Sequence, residues 1–314
     1  MLTAASRCVT VFGSINADMI FSLDRLPVAG QTLIARHFRL EAGGKGANQA
    51  VAAALDGAPV TMVGAVGRDA LADTALAGLR RSGVDLSHVA LVDDPTGCAA
   101  VHTDSDGHNQ IVVALGANQS VSNTQIDAAL LKRTSVMLLQ MESPAREVET
   151  VIHRCRNAGI LSILNVAPAV PLALEALRAC GLIVVNDDEA AALGGWLGSA
   201  PDAASLHRAL GVDVVRTLGK DGAEAGTSAQ GAYRVAARAI TPLDTTAAGD
   251  CFIGVLAAGL ARGLPLPECM SRAGTAAALC CLKRGSQSSL PEARETDAAL
   301  VERGSMTIDR AAAM

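Results

Sequence analysis

The chain has 314 residues, half of them hydrophobic and 18% charged, with a formal net charge of −5. That length can bury a large core, as one α/β domain or two smaller ones. An acidic balance and 2% aromatic content give nucleic-acid binding neither bulk charge nor stacking platforms.

No uninterrupted apolar run is long enough to span a bilayer, and Met1–Ser14 lacks the layout of a signal peptide. A cytoplasmic location without membrane contact is expected. The eight cysteines show no CxxC spacing, and the six histidines show no HxxxH or HExxH pattern. Reduced, mostly buried thiols are expected rather than a zinc site.

In chain order, a first strand is expected at Cys8–Phe12, ending at Gly13. Helix-like segments follow at Asn48–Leu55 and Ala70–Ser82. Short apolar runs alternate with helical ones: Val60–Val63, Val136–Gln140, Ile160–Asn165, Leu182–Asn186 and Val212–Leu218. Strands alternating with helices predict a mainly parallel sheet covered on both faces. Two stretches break the rhythm. Ile20–Leu40 contains Pro27 and Gly30 and alternates at Thr32-Leu33-Ile34-Ala35, and Cys98–Val113 alternates about a Gly107 turn. Both read as antiparallel strands of a small sheet over the larger domain, as a lid would be. The tail after Arg303 reads as peripheral.

Asp244-Thr-Thr-Ala-Ala-Gly-Asp250 precedes an apolar helical run, Phe252–Leu260. A helix beginning near Ala248 would aim free backbone N–H groups at this turn. Small residues Ala247, Ala248 and Gly249 would let an anion approach, and the helix dipole favours negative charge there. Asp250 would lie beside that anion, which suits phosphoryl transfer with a carboxylate base. The same residues also fit an ordinary helix start capped by Thr245 or Thr246. Gly43-Gly44-Lys45-Gly46-Ala47-Asn48-Gln49 can wrap a polar ligand, but Gly46 follows Gly44-Lys45, so it is no Walker loop. An ordinary tight turn would look similar. In Gly13–Asp18, Asn16 and Asp18 are two apart and share one face of an extended segment, which suits paired sugar hydroxyls or a solvated strand end. Cys251, in a helix's first turn, is a candidate for a low-pKa thiol beside the base, or simply a small buried residue.

Together and in this order, these three segments resemble the ribokinase family of carbohydrate kinases. The resemblance spans nearly the whole chain and brings further segments into the pattern. Gln140-Met-Glu142 resembles the stretch carrying a sugar-binding glutamate, and Asn186-Asp-Asp-Glu189 the family's Asn-x-x-Glu motif around magnesium and phosphate. Thr217-Leu-Gly-Lys-Asp-Gly222 is similar to the nucleotide-binding strand end, and Lys283-Arg-Gly-Ser-Gln-Ser-Ser289 to the loop over the adenine side and a monovalent-cation site. The resemblance implies a Rossmann-like three-layer sandwich with a β lid, the lid taking 14–40 and 97–113, the α/β domain 1–13, 41–96 and 114–314. It implies ATP-dependent phosphorylation of a primary sugar hydroxyl, with D-ribose the first expectation. Another pentose, a ketohexose or a nucleoside remains open, as does an inactive sugar-binding or regulatory protein.

By the same resemblance, Asp250 is the base and the backbone of Ala247, Ala248, Gly249 and Asp250 the anion hole. Asn16, Asp18, Gly44, Lys45, Asn48 and Glu142 would bind sugar. Asn186, Thr217, Leu218, Gly219, Lys220, Gly222 and Gly249 would bind ATP. Glu189 would act on magnesium through water, and Asp244, Thr246, Cys280, Lys283, Gly285 and Ser289 would surround potassium. A homodimer through the lid is also implied. Ile253, Gly274, Cys280 and Lys283 depart from the family pattern, the last two beside the cation loop.

Overall fold

The computed structural model describes residues 8–105, 108–303 and 308–310. Strand β1 (Cys8–Phe12) pairs in parallel with β4 (Val60–Gly67) on one side and β8 (Thr134–Leu139) on the other. Beyond β4 lies β5 (Asp85–Val92). Beyond β8 lie β9 (Leu161–Asn165), β10 (Leu182–Val185) and β11 (Asp213–Thr217), all parallel. Three antiparallel strands extend that end: β12 (Ala223–Thr227), β13 (Gly231–Val235) and β14 (Ile308–Arg310). The tail read as peripheral therefore supplies an edge strand, while residues 304–307 and 311–314 lie outside the described residues.

The parallel strands bury both faces, as helices on both sides require. Val9 and Val11 enter one core and Phe12 the other, and Val136 and Leu138 likewise oppose Met137 and Leu139. The first core lies under α1 (Lys45–Leu55), α2 (Leu71–Arg81), α8 (Ala248–Ala261) and α9 (Leu266–Cys280). The second lies under α3 (Ala128–Arg133), α4 (Ala145–Ala158), α6 (Asp187–Leu197) and α7 (Ala203–Leu210). The short α5 (Leu174–Leu177) precedes β10, and α10 (Ala293–Arg303) follows the 283–289 loop. No helix among the described residues is long and apolar enough to cross a membrane.

A separate four-stranded sheet runs β3 (His37–Gly43), β2 (Asn16–Ser22), β6 (Gly97–Thr103), β7 (Asn109–Ala114). The outer pairs are antiparallel, as expected, but β2 and β6 are parallel. Each of these two leaves the large sheet from the end of a parallel strand, β1 or β5, so both enter the small sheet in the same sense. Thr32–Ala35 is not a strand. Its alternation has no pairing partner, and Ile34 is almost fully exposed. Pairing instead continues to Gly43, and the expected Gly107 turn lies outside the described residues.

Candidate active site

Brought together at the carboxyl ends of the central strands are Ser14 after β1, Gln140 and Glu142 after β8, Asn165 ending β9 and Asn186 after β10. The chain order reverses about β1, between β8 and β4, and such a switch point leaves a crevice for ligands. Helices α1 and α8 meet above it.

Asp250 lies in the first turn of α8 and is 9% exposed. Asn48 Nδ2 donates to its Oδ2 and Gln49 Nε2 to its Oδ1, both at 3.0 Å. Two consecutive residues of α1 therefore grip the two carboxylate oxygens. The approach depends on Gly254, one turn along α8 from Asp250. A Cβ there would stand 2.4 Å from the Gln49 carbonyl oxygen and 2.6 Å from the Ala52 Cβ.

The start of α8 is built as an open donor cluster. Ala247 caps the helix without a side-chain bond, so neither Thr245 nor Thr246 is the cap. Thr246 instead turns its hydroxyl and N–H onto Asp244 Oδ1, at 2.6 and 2.9 Å. Ala247 has φ 59°, the one non-glycine with positive φ among the described residues. Such a conformation costs an alanine about 1–2 kcal/mol, a strain that clusters at ligand sites. A Cβ on Gly249 would point into open space. Of the four N–H groups expected to face an anion, that of Ala248 is engaged with the Thr245 carbonyl at 3.2 Å. Those of Ala247, Gly249 and Asp250 have no backbone acceptor.

On the sugar side, Asn16 is buried and its Oδ1 accepts from Asn118 Nδ2 at 2.7 Å. Asn118 Oδ1 in turn accepts from the Ile15 N–H. Glu142 Oε2 takes the Ser14 hydroxyl and the Lys45 N–H, so a carboxylate closes the start of α1. The Asp250 carboxylate holds the Lys45 ammonium above its usual value, against burial, with Glu142 and Glu189 adding to it. Asp18 has a buried Oδ1 without a partner. Burial first, then the Glu142, Glu41 and Asp250 charges, push its carboxyl up to about 7.

Farther along the strand ends, Asn186 and Glu189 form a reciprocal cap at the start of α6. Burial raises the Glu189 carboxyl and Asp250 adds to that, while the Asn186 amide and Lys45 oppose it. Asn165 links the groups, accepting from Gln49 at 3.2 Å and reaching Glu189 at 3.5 Å. Thr217 ends β11 and touches the Val185 carbonyl at 3.5 Å. Leu218, Gly219, Lys220 and Gly222 form the turn after it, one strand beyond the carboxylate cluster.

In the 283–289 loop, where a monovalent cation is expected, Gly285 N–H donates to Asp244 Oδ2 at 3.1 Å. Burial works against ionisation of Asp244, but the Thr246 and Gly285 bonds hold it below the usual carboxylate range. Asp244 with neighbouring hydroxyl and carbonyl oxygens is a donor set that fits a hard monovalent cation. Of the expected neighbours, Lys283 turns its side chain elsewhere and Cys280 keeps to the group. Lys283 Nζ pairs with Glu295 at 2.8 Å, and the Cys280 thiol lies 3.0 Å from the Ser289 hydroxyl and 3.7 Å from the Thr246 carbonyl. Among the described residues no three His, Cys, Asp or Glu side chains cluster as a metal cage. Glu189 fits the other arrangement, a magnesium held mostly by water and phosphates.

The low-pKa expectation for Cys251 fails. The side chain is fully buried, and a hydrogen bond with the Cys280 thiol together with that burial holds it well above the usual thiol value. Sequence reasoning missed Asn118, Asn165 and Gln287 and gave no role to Gln49. Gln49 and Gln287 carried a signal, their places inside the glycine loop and the 283–289 loop.

Residues 6–293 match the profile described as pfkB family carbohydrate kinase. A ribokinase of Haemophilus influenzae is 34% identical over 299 residues, covering 92% of this chain and 97% of that protein. A deoxyribokinase of Salmonella typhi is 32% identical over 292 residues, covering 90% and 95%. Among solved structures, Arabidopsis thaliana ribokinase complexed with ribose and ATP superposes with a TM-score of 0.84 at 31% identity, covering 93% of this chain and 98% of that one. The Thermotoga maritima ribokinase gives the same TM-score at 29% identity, covering 93% and 99%.

Proposed function

The chain belongs to the pfkB family of carbohydrate kinases, and from that premise we propose that it transfers the γ-phosphoryl group of ATP to the primary hydroxyl of D-ribose. The observation that carries the reading is the Asp250 carboxylate, held on both oxygens beside three free N–H groups at the start of α8. The named relatives act on ribose or deoxyribose, which supports a pentose.

Asn16, Asp18, Gly44, Lys45, Asn48 and Glu142 bind the sugar between the two sheets. Asp250 retains lone pairs beyond those taken by Asn48 and Gln49, and one receives the hydroxyl proton. The freed oxygen pair bonds to the γ-phosphorus as the bond to the bridging oxygen breaks, and ADP leaves. The N–H groups of Ala247, Gly249 and Asp250 face the charge on the moving group. Asn186 and the 217–222 turn line the nucleotide side. Glu189 would hold magnesium through water, and the ion would supply neutralisation of phosphate charge. Asp244 and its loop would hold potassium, which would supply order to the anion-hole turn. Eight free cysteines support a reducing, cytoplasmic setting. A second copy of the chain pairs through the lid, where Phe38, Leu40, Ile111, Val112 and Val113 are exposed.

Asp250→Asn tests the assignment. Turnover in an ADP-release assay should fall about 10²–10⁴-fold while sugar and ATP affinities stay near wild type. A variant that keeps most of its turnover removes Asp250 as the base. Running ribose, 2-deoxyribose, a ketohexose and nucleosides in parallel ranks the acceptors.

A further inference from the structure

Gln287 belongs to the cation loop yet is 7% exposed, an unusual burial for a loop amide. Its Nε2 donates to Asn48 Oδ1 at 3.1 Å, and Asn48 Nδ2 donates to Asp250 Oδ2 at 3.0 Å. Its own Oε1 has no partner and lies against Gly78, in the middle of α2. A Cβ on Gly78 would stand 1.7 Å from that oxygen. Glycine is a poor residue for a helix interior; here its missing Cβ is the space the Gln287 amide occupies.

We infer that Gln287 is a positioning residue for the proposed reaction: it fixes the orientation of the Asn48 amide and so ties the base to the cation loop. The inference rests on the kinase reading above. An asparagine amide is nearly symmetric in shape, and its neighbours decide which end is oxygen. The Asp250 carboxylate only accepts and takes the Asn48 NH₂, and the Gln287 N–H satisfies the oxygen at the other end and holds the amide in that setting. Without that donor, Asn48 Oδ1 is left buried and unpaired, and a rotated amide would set oxygen against carboxylate. The loop that carries Gln287 is itself anchored at two points and closed by one internal bond. Gly285 N–H reaches Asp244, the Ser286 hydroxyl donates to the Ala42 carbonyl at 2.8 Å, and the Ser289 hydroxyl donates to the Ser286 carbonyl at 2.7 Å. Order in the Asp244 loop thereby reaches the carboxylate oxygen through two amides.

The test is a double-mutant cycle on the full chain, with melting curves to confirm folding. Gln287→Leu should lower kcat/KM for ribose about 10-fold or more, with the KM for ATP within about twofold of wild type. In an Asn48→Ala background the same substitution should cost no more than about twofold, because the residue through which it acts is gone. Gly78→Ala, outside the residues assigned to ligands and with the better helix former, should reproduce the kcat/KM loss by displacing the Gln287 amide. An active wild type with an unaffected Gln287→Leu, or an equal loss in both backgrounds, overturns the inference alone. A wild type without turnover on any sugar overturns the kinase reading and this inference with it.

Discussion

Asp18 concentrates the electrostatic tension of the site in one carboxyl. Burial and three neighbouring carboxylates raise it from 3.8 to about 7, so the folded chain holds a proton that the unfolded chain has released. The linkage sign follows from that direction. Stability from this group is full below about pH 4 and is lost as the pH rises through about 7. Wild type should therefore lose about 2–4 kcal/mol relative to Asp18→Asn between pH 5 and 8, read from paired thermal or urea unfolding. Equal slopes for the two proteins would contradict it. In the proposed reading, sugar hydroxyls donate to the ionised carboxylate and reverse the balance, so the KM for ribose should fall over the same interval in wild type and stay flat in the variant.

At the scale of elements, helices α1, α8, α9 and α10 are joined at the end opposite the site. Asp56, which closes α1, receives Arg262 from the end of α8 at 2.6 Å and Arg272 from α9 at 2.6 Å. Arg272 also holds Asp297 of α10. The Asp56 side chain is 1% exposed, so removing it takes the buried partner from two guanidinium groups and leaves Arg272 only the exposed Asp297. Asp56→Ala should cost about 3–5 kcal/mol in unfolding experiments, with ligand KM values close to wild type. A loss below 1 kcal/mol would reduce the cluster to a solvated ion pair. These elements also show what a sequence makes legible. The Cys8–Phe12 strand and the helix start at Ala248 follow from local pattern, since apolar runs and small-residue turns act within a few positions. The parallel β2–β6 pairing, the left-handed Ala247 and the Asn118–Asn16 bond do not. Each depends on partners far along the chain, and an alanine or asparagine carries no mark of them. Thr32–Ala35 shows the converse, alternation with no neighbour to pair it.

For the whole molecule, the two sheets differ in how they are finished. The large one is covered on both faces, whereas every residue of β7 is exposed and Phe38 and Leu40 of β3 face outward. Exposed apolar residues collected on one sheet are a usual mark of an interface. The proposed lid pairing predicts a dimer in sedimentation equilibrium, with Phe38→Glu/Val112→Glu shifted to monomer and still folded. A wild-type monomer at micromolar concentration would rule the pairing out.

Strand β3 ends at Gly43 and α1 starts at Lys45, leaving Gly44, at φ 88°, as the whole connector. There is no slack in it. Adding one residue there would turn the helix by about 100° about its axis. Asn48 and Gln49 would then swing off Asp250 with every side chain of the site intact. At this joint, chain length is the conserved quantity to look for, because α1 keeps its grip on Asp250 only in one rotational phase of the helix.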